Sequence, residues 1–175
     1  HCPGLPEADL VPPERQPEYL DLPGHHPGPC DNVADWLADR HVRAGYGSDP
    51  AAIASASGAI LTYADLAERS WRLAAALAGA GLRHGDRVAL RCPNVPDLLV
   101  LAAAIWKAGG VVVPTSPLAR ADELRYFLED SGARVLFAAA GDRNPGEARR
   151  AVAGSPVERV ILFGPGAGED DGINA

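Results

Sequence analysis

Residues 106–117 read WKAGGVVVPTSP, and this stretch decides the fold that the sequence predicts. A helical pattern ends at Lys107, two glycines interrupt it, and three valines follow before Pro114. Gly109 suits the left-handed position that ends many helices. The valine run 111–113 has no polar alternation, which is typical of a parallel strand covered on both faces. The stretch therefore predicts the junction between a helix and a buried strand.

Outward from this junction, helical and strand patterns alternate along the rest of the chain. Strands separated by helices favour βαβ units, so the alternation predicts right-handed crossovers and a mainly parallel sheet in an α/β fold. The predicted strands lie at 87–92, 111–113, 134–138 and 158–163, and the predicted helices at 96–107, 121–131 and 145–153. In the helix at 121–131, the residues expected to face inward are Leu124, Phe127 and Leu128.

The segment before this alternation predicts two helices around a β-hairpin. Thr62 is a suitable N-cap for the second helix, which runs to about Ala80, and Asp65 completes a variant of the capping box. The first helix is expected at 32–43, and the hairpin strands at 52–57 and 59–61. Helical spacing places Val33, Trp36, Leu37 and His41 on the inner face of the first helix, and Leu66, Leu73, Ala76 and Leu77 on that of the second.

Three regions follow from this pattern. Residues 1–30 contain eight of the 16 prolines and predict an irregular N-terminal arm. Residues 31–163 predict an α/β subdomain, and residues 164–175 a linker or a truncated loop. The sequence lacks methionine, so we expect an incomplete or processed chain.

Composition excludes several classes of function. A net charge of −7 argues against a nucleic-acid surface, which requires a basic face. No apolar run approaches the length of a membrane span. Three cysteines form an odd count without a framework spacing, and no signal peptide is visible, so we expect a cytoplasmic location.

Two stretches offer weak signals for phosphate or metal binding. The glycine-rich stretch 164–168 follows a strand, but Glu169, Asp170 and Asp171 come next, and three carboxylates repel a polyphosphate. A linker is the better interpretation. His25-His26 and Cys30 lack the further pair that a zinc site needs, so a solvated arm is the better interpretation there.

The remaining polar candidates predict structural roles. His84-Gly85-Asp86 precedes a strand and predicts a turn, and Cys92 predicts a buried, inert thiol. Adjacent carboxylates do not share a helix face, so the pairs 122–123 and 129–130 are expected on the solvated surface. Lys107 lies in the last turn of its helix, where a cation meets the negative end of the helix dipole. No catalytic, cofactor-binding or metal-binding residue is therefore assigned.

Two motifs resemble the adenylate-forming family of AMP-forming acyl-CoA synthetases. LTYADL at 61–66 is similar to the first core motif of that family, and WKAGGVVVPTSP is similar to the second. The stretches between and after them (85–90, 93–97 and 128–134) resemble the family in the same order. Residues 16–20, Asn32 and 39–42 resemble its aromatic-acid branch, which includes benzoate-CoA and 2-aminobenzoate-CoA ligases.

The resemblance implies the N-terminal part of an enzyme that joins a carboxylic acid, with aromatic acids favoured, to CoA through an acyl-adenylate. It implies ATP, Mg²⁺ and CoA as cofactors of the full-length enzyme and the missing C-terminal part as the partner of this chain. The family's phosphate loop, acidic nucleotide-binding segment and C-terminal lysine have no counterpart in these 175 residues. We therefore expect the chain alone to bind none of these cofactors and to be inactive. The alternatives are a non-catalytic binding module, a fatty-acid ligase, and the adenylation domain of a peptide synthetase.

Overall fold

A computed structural model describes residues 32–140 and 145–164 of the chain. The predicted arm at 1–30, the stretch 165–175, His25-His26 and Cys30 lie outside these residues. Within them, a parallel sheet is covered by helices on both faces, which confirms the predicted α/β class.

The sheet contains four parallel strands in the order β4-β3-β5-β6. The strands are β3 (Arg87–Arg91), β4 (Val111–Thr115), β5 (Val135–Ala139) and β6 (Arg159–Phe163). The helices that connect them are α3 (Pro96–Lys107), α4 (Ala121–Ser131) and α5 (Pro145–Val152). All bounds agree with the predicted ones within two residues.

The order of the strands makes the crossovers diverge at the middle of the sheet. Helix α3 leads from β3 to β4 on one face, and α4 leads back past β3 to β5 on the other. Val88, Leu90 and Phe137 pack on the α3 face, while Ala89 and Leu136 pack on the α4 face. In sheets of this kind, ligands bind at the carboxyl ends of the strands where the order reverses. Here that point lies between β3 and β5.

A separate two-stranded sheet lies before the main one. Strands β1 (Pro50–Ile53) and β2 (Ile60–Thr62) pair antiparallel and confirm the predicted hairpin, although both strands are displaced from the predicted positions. The turn is longer than Ser57-Gly58 because the Ala54 amide already bonds to the Ala59 carbonyl.

Helix α2 (Tyr63–Gly79) begins with the predicted capping box. The Thr62 hydroxyl accepts from the Asp65 amide at 3.1 Å, and the Asp65 carboxylate accepts from the Thr62 amide at 3.3 Å. The buried face contains Leu66, Ser70, Ala74 and Leu77, and Leu73 is half-buried. Ala76 was predicted to face inward and is exposed, because the face that packs on α3 follows positions 66, 70, 74 and 77.

The first helical segment differs most from its prediction. It contains a π-helical stretch at Asp35–Asp39, followed by α1 (Arg40–Arg43). The wider π turn changes the phase of the helix, so that Ala34 and Ala38 are buried, whereas Val33, predicted to face inward, is 53% exposed. Trp36, Leu37 and His41 are half-buried, and the His41 ring stacks on Tyr63 at 4.3 Å.

Strand β4 corrects the interpretation of the valine run. The predicted helix end is confirmed, with Gly109 at φ +81°. The strand, however, lies at an edge of the described sheet, and Val111 is 46% exposed, whereas Val112 packs against the core on the α3 face and Val113 against the core on the α4 face. It also continues through Pro114, since a proline without an N–H is tolerated on an edge strand.

Candidate functional site

A cleft of about 500 Å³ lies beside the carboxyl end of β6. Its floor contains Phe137, Ile161 and Phe163, which project from β5 and β6 toward the α2–α3 side of the sheet. On this face Phe137 of β5 is 1% exposed, whereas Ile161 and Phe163 of β6 are only half-buried. The cleft therefore exists because the helix layer on this face ends before the sheet does.

Charged side chains form the rim of the cleft. The Arg69 guanidinium lies 2.5 Å from the Asp97 carboxylate, which joins α2 to the first turn of α3. Arg72 lies one helical turn further on, is 79% exposed, and its guanidinium lies 3.9 Å from the Glu68 carboxylate. The rim thus combines a neutralised pair with one guanidinium that is largely available to solvent. An apolar floor below a cationic rim suits an occupant with an apolar body and a negative charge.

Arg91 occupies the carboxyl end of β3, next to the point where the strand order reverses. Its side chain is 1% exposed, and Nη2 donates to the carbonyls of Pro117 and Ala119 at 2.7 and 3.1 Å. Burial lowers the pKa of the Arg91 guanidinium, and the Glu147 charge opposes that shift. The contacts fix the loop that follows β4. Sequence reasoning missed this residue, although an arginine inside the apolar run of β3 was the available signal.

Glu147 supports the same corner from α5. It is 8% exposed, and its carboxylate accepts from the backbone amide of Ala121 at 2.6 Å and pairs with Arg150. The carboxylate therefore satisfies the first turn of α4. Arg91 and Glu147 together hold the β4–α4 loop in place at the carboxyl edge of the sheet.

Lys107 has a larger structural role than the predicted contact with the helix dipole. Its side chain is 2% exposed, and its ammonium donates to Asp39 at 2.8 Å and to the Ser70 hydroxyl at 2.9 Å. The same nitrogen lies 3.3 Å from the Ala67 carbonyl and 4.7 Å from the centre of the Trp71 ring. The residue joins α3 to α2 and to the π-helical stretch.

The other candidates from the sequence have the predicted structural roles. Cys92 is buried, and burial raises the pKa of its thiol to about 11, which disfavours the nucleophilic thiolate. His84 is exposed in a turn, and the Asp86 carboxylate accepts from the Arg83 amide and pairs with Arg134 at 2.9 Å. The carboxylate pairs 122–123 and 129–130 are exposed.

The described residues provide a scaffold and a binding cleft. Across 32–140 and 145–164, no group of three or more His, Cys, Asp and Glu residues could hold a metal ion. In the same part of the chain, no helix is both long and apolar enough to cross a bilayer. The polar groups near the cleft can bind and orient an anion, whereas the one described thiol is held in its protonated form.

Comparison with known proteins gives a family-model match over residues 39–171, to the family described as AMP-binding enzyme. The feruloyl-CoA synthase of Streptomyces sp is 48% identical over 80 residues, which are 46% of this chain and 16% of that protein. The long-chain-fatty-acid–CoA ligase of Bacillus subtilis (strain 168) is 37% identical over 117 residues, 67% of this chain and 20% of that protein. A plipastatin synthase polypeptide of the same organism is 38% identical over 87 residues, 50% of this chain and 3% of that protein.

Solved structures agree with the sequence relatives. A benzoate CoA ligase from Burkholderia xenovorans LB400 matches with a TM-score of 0.68 and 25% identity, over 78% of this chain and 27% of that one. A long-chain-fatty-acid-CoA ligase from Archaeoglobus fulgidus matches with a TM-score of 0.71 and 25% identity, over 82% and 29%. The chain thus spans less than a third of each of these relatives and structures.

Proposed function

Because this chain belongs to the AMP-binding enzyme family, we propose that it forms the N-terminal part of a longer AMP-forming acid–CoA ligase. The observation that carries the proposal is the family match over residues 39–171, which includes the whole described sheet. In this proposal, the longer enzyme joins a carboxylic acid to CoA with the conversion of ATP to AMP and pyrophosphate, in the cytoplasm.

The contribution of this chain is structural. Arg91 holds the β4–α4 loop at the carboxyl edge of the sheet, and Lys107, in the last turn of α3 just before β4 begins, joins α3 to α2. The described residues do not fit the triphosphate and its Mg²⁺, since they lack a carboxylate cluster for a cation. The glycine-rich stretch 164–168 leads into three acidic residues. We therefore assign ATP, Mg²⁺ and CoA to the remainder of the enzyme and propose that the 175-residue chain alone is inactive.

We propose an aromatic acid as the substrate. Two matches support this choice: the feruloyl-CoA synthase at 48% identity and the benzoate CoA ligase structure at a TM-score of 0.68. The long-chain-fatty-acid ligase aligns over a longer part of the chain at lower identity, so a fatty acid is the first competing substrate.

The adenylation domain of a peptide synthetase is a second candidate. The match to the plipastatin synthase polypeptide, at 38% identity over 87 residues, favours it. The two candidates differ in the acceptor of the acyl group, which is CoA in a ligase and a carrier domain in a peptide synthetase.

The test uses the protein encoded by the complete reading frame that contains this chain. ATP–pyrophosphate exchange and thioester formation are measured with benzoate, 2-aminobenzoate, ferulate, a long-chain fatty acid and a panel of amino acids. We expect exchange with an aromatic acid and its transfer to free CoA. Preferential use of a fatty acid would overturn the aromatic assignment, and transfer only to a carrier domain would favour the peptide synthetase.

The same assay applied to the 175-residue chain tests its proposed inactivity. We expect no ATP–pyrophosphate exchange with any acid in the panel, and a signal above a heat-treated control would contradict the proposal. An inactive complete protein, purified in folded form, would contradict the ligase assignment itself.

A further inference from the structure

The cleft between α2, α3 and the β5–β6 floor is separate from the structural contacts of Arg91, Glu147 and Lys107. Leu73, Val100 and Leu101 form its apolar walls, and Phe163 belongs to its floor. Burial of such a surface is favourable in water, by about 25 cal/mol per Å² of apolar area. A segment with apolar side chains is therefore expected to bind in the cleft.

The chain itself leads into this cleft. Gly164, the last residue that the structure describes, is one of the lining residues. The residues that follow, 165–175, read PGAGEDDGINA and contain three consecutive carboxylates and one isoleucine. This segment begins at the cleft, so its association carries a much smaller entropic cost than that of a free partner.

The charges of the segment and of the rim are complementary. Glu169 lies five residues after Gly164, a distance that an extended chain spans in up to about 17 Å. Arg72 is 79% exposed on the rim, and its contact with Glu68 is 3.9 Å long. The Arg72 guanidinium can therefore exchange this weak contact for the carboxylates at 169–171, while Arg69 keeps its partner Asp97.

We propose that residues 165–175 dock in the cleft, with the carboxylates of 169–171 on Arg72 and with Ile173 on the apolar wall. The three acidic residues, which disfavour a phosphate loop, then act as an anchor for the segment that leaves β6. This docking does not depend on the activity of the longer enzyme.

Paramagnetic broadening in NMR spectra tests the docking on the 175-residue chain. A spin label is placed on Asn174→Cys in a Cys2→Ser, Cys30→Ser background, where the buried Cys92 stays unlabelled. We expect the backbone amides of Leu73 and Ile161 to lose most of their intensity, while those of Leu124 and Ala151, in the core on the other face of the sheet, keep theirs. The unlabelled spectrum shows that each variant is folded.

Charge reversal then tests the electrostatic contact. Arg72→Glu should restore the lost intensity of the Leu73 and Ile161 amides. When Glu169→Lys, Asp170→Lys and Asp171→Lys are added to that variant, the broadening of the same amides should return. Arg149→Glu, at an exposed arginine of α5, is the matched control and should change nothing. At 1 M salt the broadening should weaken, since the screening length is then about 3 Å.

Four results would overturn the proposal. Equal or absent broadening on both faces would mean that the segment does not dock, and broadening that grows with protein concentration would mean that a second copy does. Broadening of the same amides from a label on Cys2 instead of residue 174 would identify the N-terminal arm as the occupant. Broadening that survives Arg72→Glu would exclude the charge contact.

Discussion

The ammonium nitrogen of Lys107 lies 2.8 Å from Oδ1 of Asp39, and the two side chains are only 2% and 15% exposed. The pair connects the end of α3 to the π-helical stretch that precedes α1. Charges this far from water are stable only when both partners are present, because each one alone retains its cost of desolvation. The pair is therefore a structural requirement for the packing of three helical segments.

Replacement of Lys107 by methionine should strongly destabilise the chain. The substitution leaves Asp39 buried without its cation, and we expect a loss of about 3 kcal/mol in the free energy of unfolding, measured by urea denaturation. The double variant Lys107→Met, Asp39→Asn should recover part of this loss. Arg43→Met, which removes an exposed partner of Asp35, should have a small effect. Equal effects of the Lys107 and Arg43 substitutions would contradict the buried-pair interpretation.

Gly110→Ala tests the tight contact between α3 and β4. A Cβ at this position would lie 2.9 Å from Cγ2 of Ile105, whose side chain is fully buried and has no room to move. We expect a loss of about 2 kcal/mol in stability from this overpacking. Gly79→Ala is the matched control, since its Cβ would meet no atom within 4 Å at the end of α2. That variant should be more stable than the original chain by about 0.5 kcal/mol. Thermal unfolding should therefore show a lower midpoint temperature for Gly110→Ala and a higher one for Gly79→Ala.

Arg91→Met should release the loop after β4. The substitution removes the donor for the carbonyls of Pro117 and Ala119, and we expect a loss of about 2 kcal/mol. Amide hydrogen exchange at residues 118–121 should accelerate more than in the strands. Arg91→Lys should not restore the protection, because an ammonium lacks the planar fork of a guanidinium. Arg149→Met, at the surface, should change neither the free energy of unfolding nor the amide exchange at residues 118–121. If it changed them as much as Arg91→Met does, the role of Arg91 in holding the loop would be contradicted.

The capping box of α2 should make stability depend on pH. The hydrogen bond from the Thr62 hydroxyl lowers the pKa of the Asp65 carboxyl below its usual value, and the hydrogen bond from the Thr62 amide is the second largest cause. Because the pKa of Asp65 is lower in the folded state than its unfolded value of about 3.9, the ionised carboxylate stabilises the folded protein at any pH above that unfolded value. This contribution is lost as the pH falls through the lower folded pKa.

Thr62→Ala removes the hydroxyl that accepts from the Asp65 amide, and the loss of this N-cap should cost about 1 kcal/mol at pH 7. The difference from the original chain should begin to shrink below about pH 4, where Asp65 of the unfolded chain becomes protonated, and should be lost as the pH falls through the lower folded pKa of the original chain. Thr62→Ser keeps the hydroxyl and serves as the control. Urea denaturation at pH 7 and pH 3 measures both values, and a difference independent of pH would contradict the coupling to Asp65.

Local patterns predicted the fold well where a single physical signal decided the outcome. The Thr62 cap, the glycine after α3 and the alternation of helices and strands each follow from backbone preferences within a few residues. The burial of Val111 and the inner position of Val33 were predicted wrongly. The order of the strands places β4 at an edge, and the π turn changes the helix phase; neither is encoded in a local window.

The candidate site was harder to predict because it depends on distant contacts. Arg91 reaches carbonyls 26 and 28 residues away, and Lys107 reaches Asp39 across 68 residues. Spacing along the sequence gives no sign of such partners. A charged residue in an apolar run is nevertheless a usable signal, since a buried charge requires a partner.

Lys107 is the single lysine of the sequence, and its burial determines how the folded chain meets amine-directed reagents. The Lys107 nitrogen donates to Asp39 and Ser70, and its side chain is only 2% exposed, so reagents in water do not reach it. Active esters therefore leave Lys107 unmodified while the chain is folded. Modification of Lys107 then reports that the pair of helices α2 and α3 has opened.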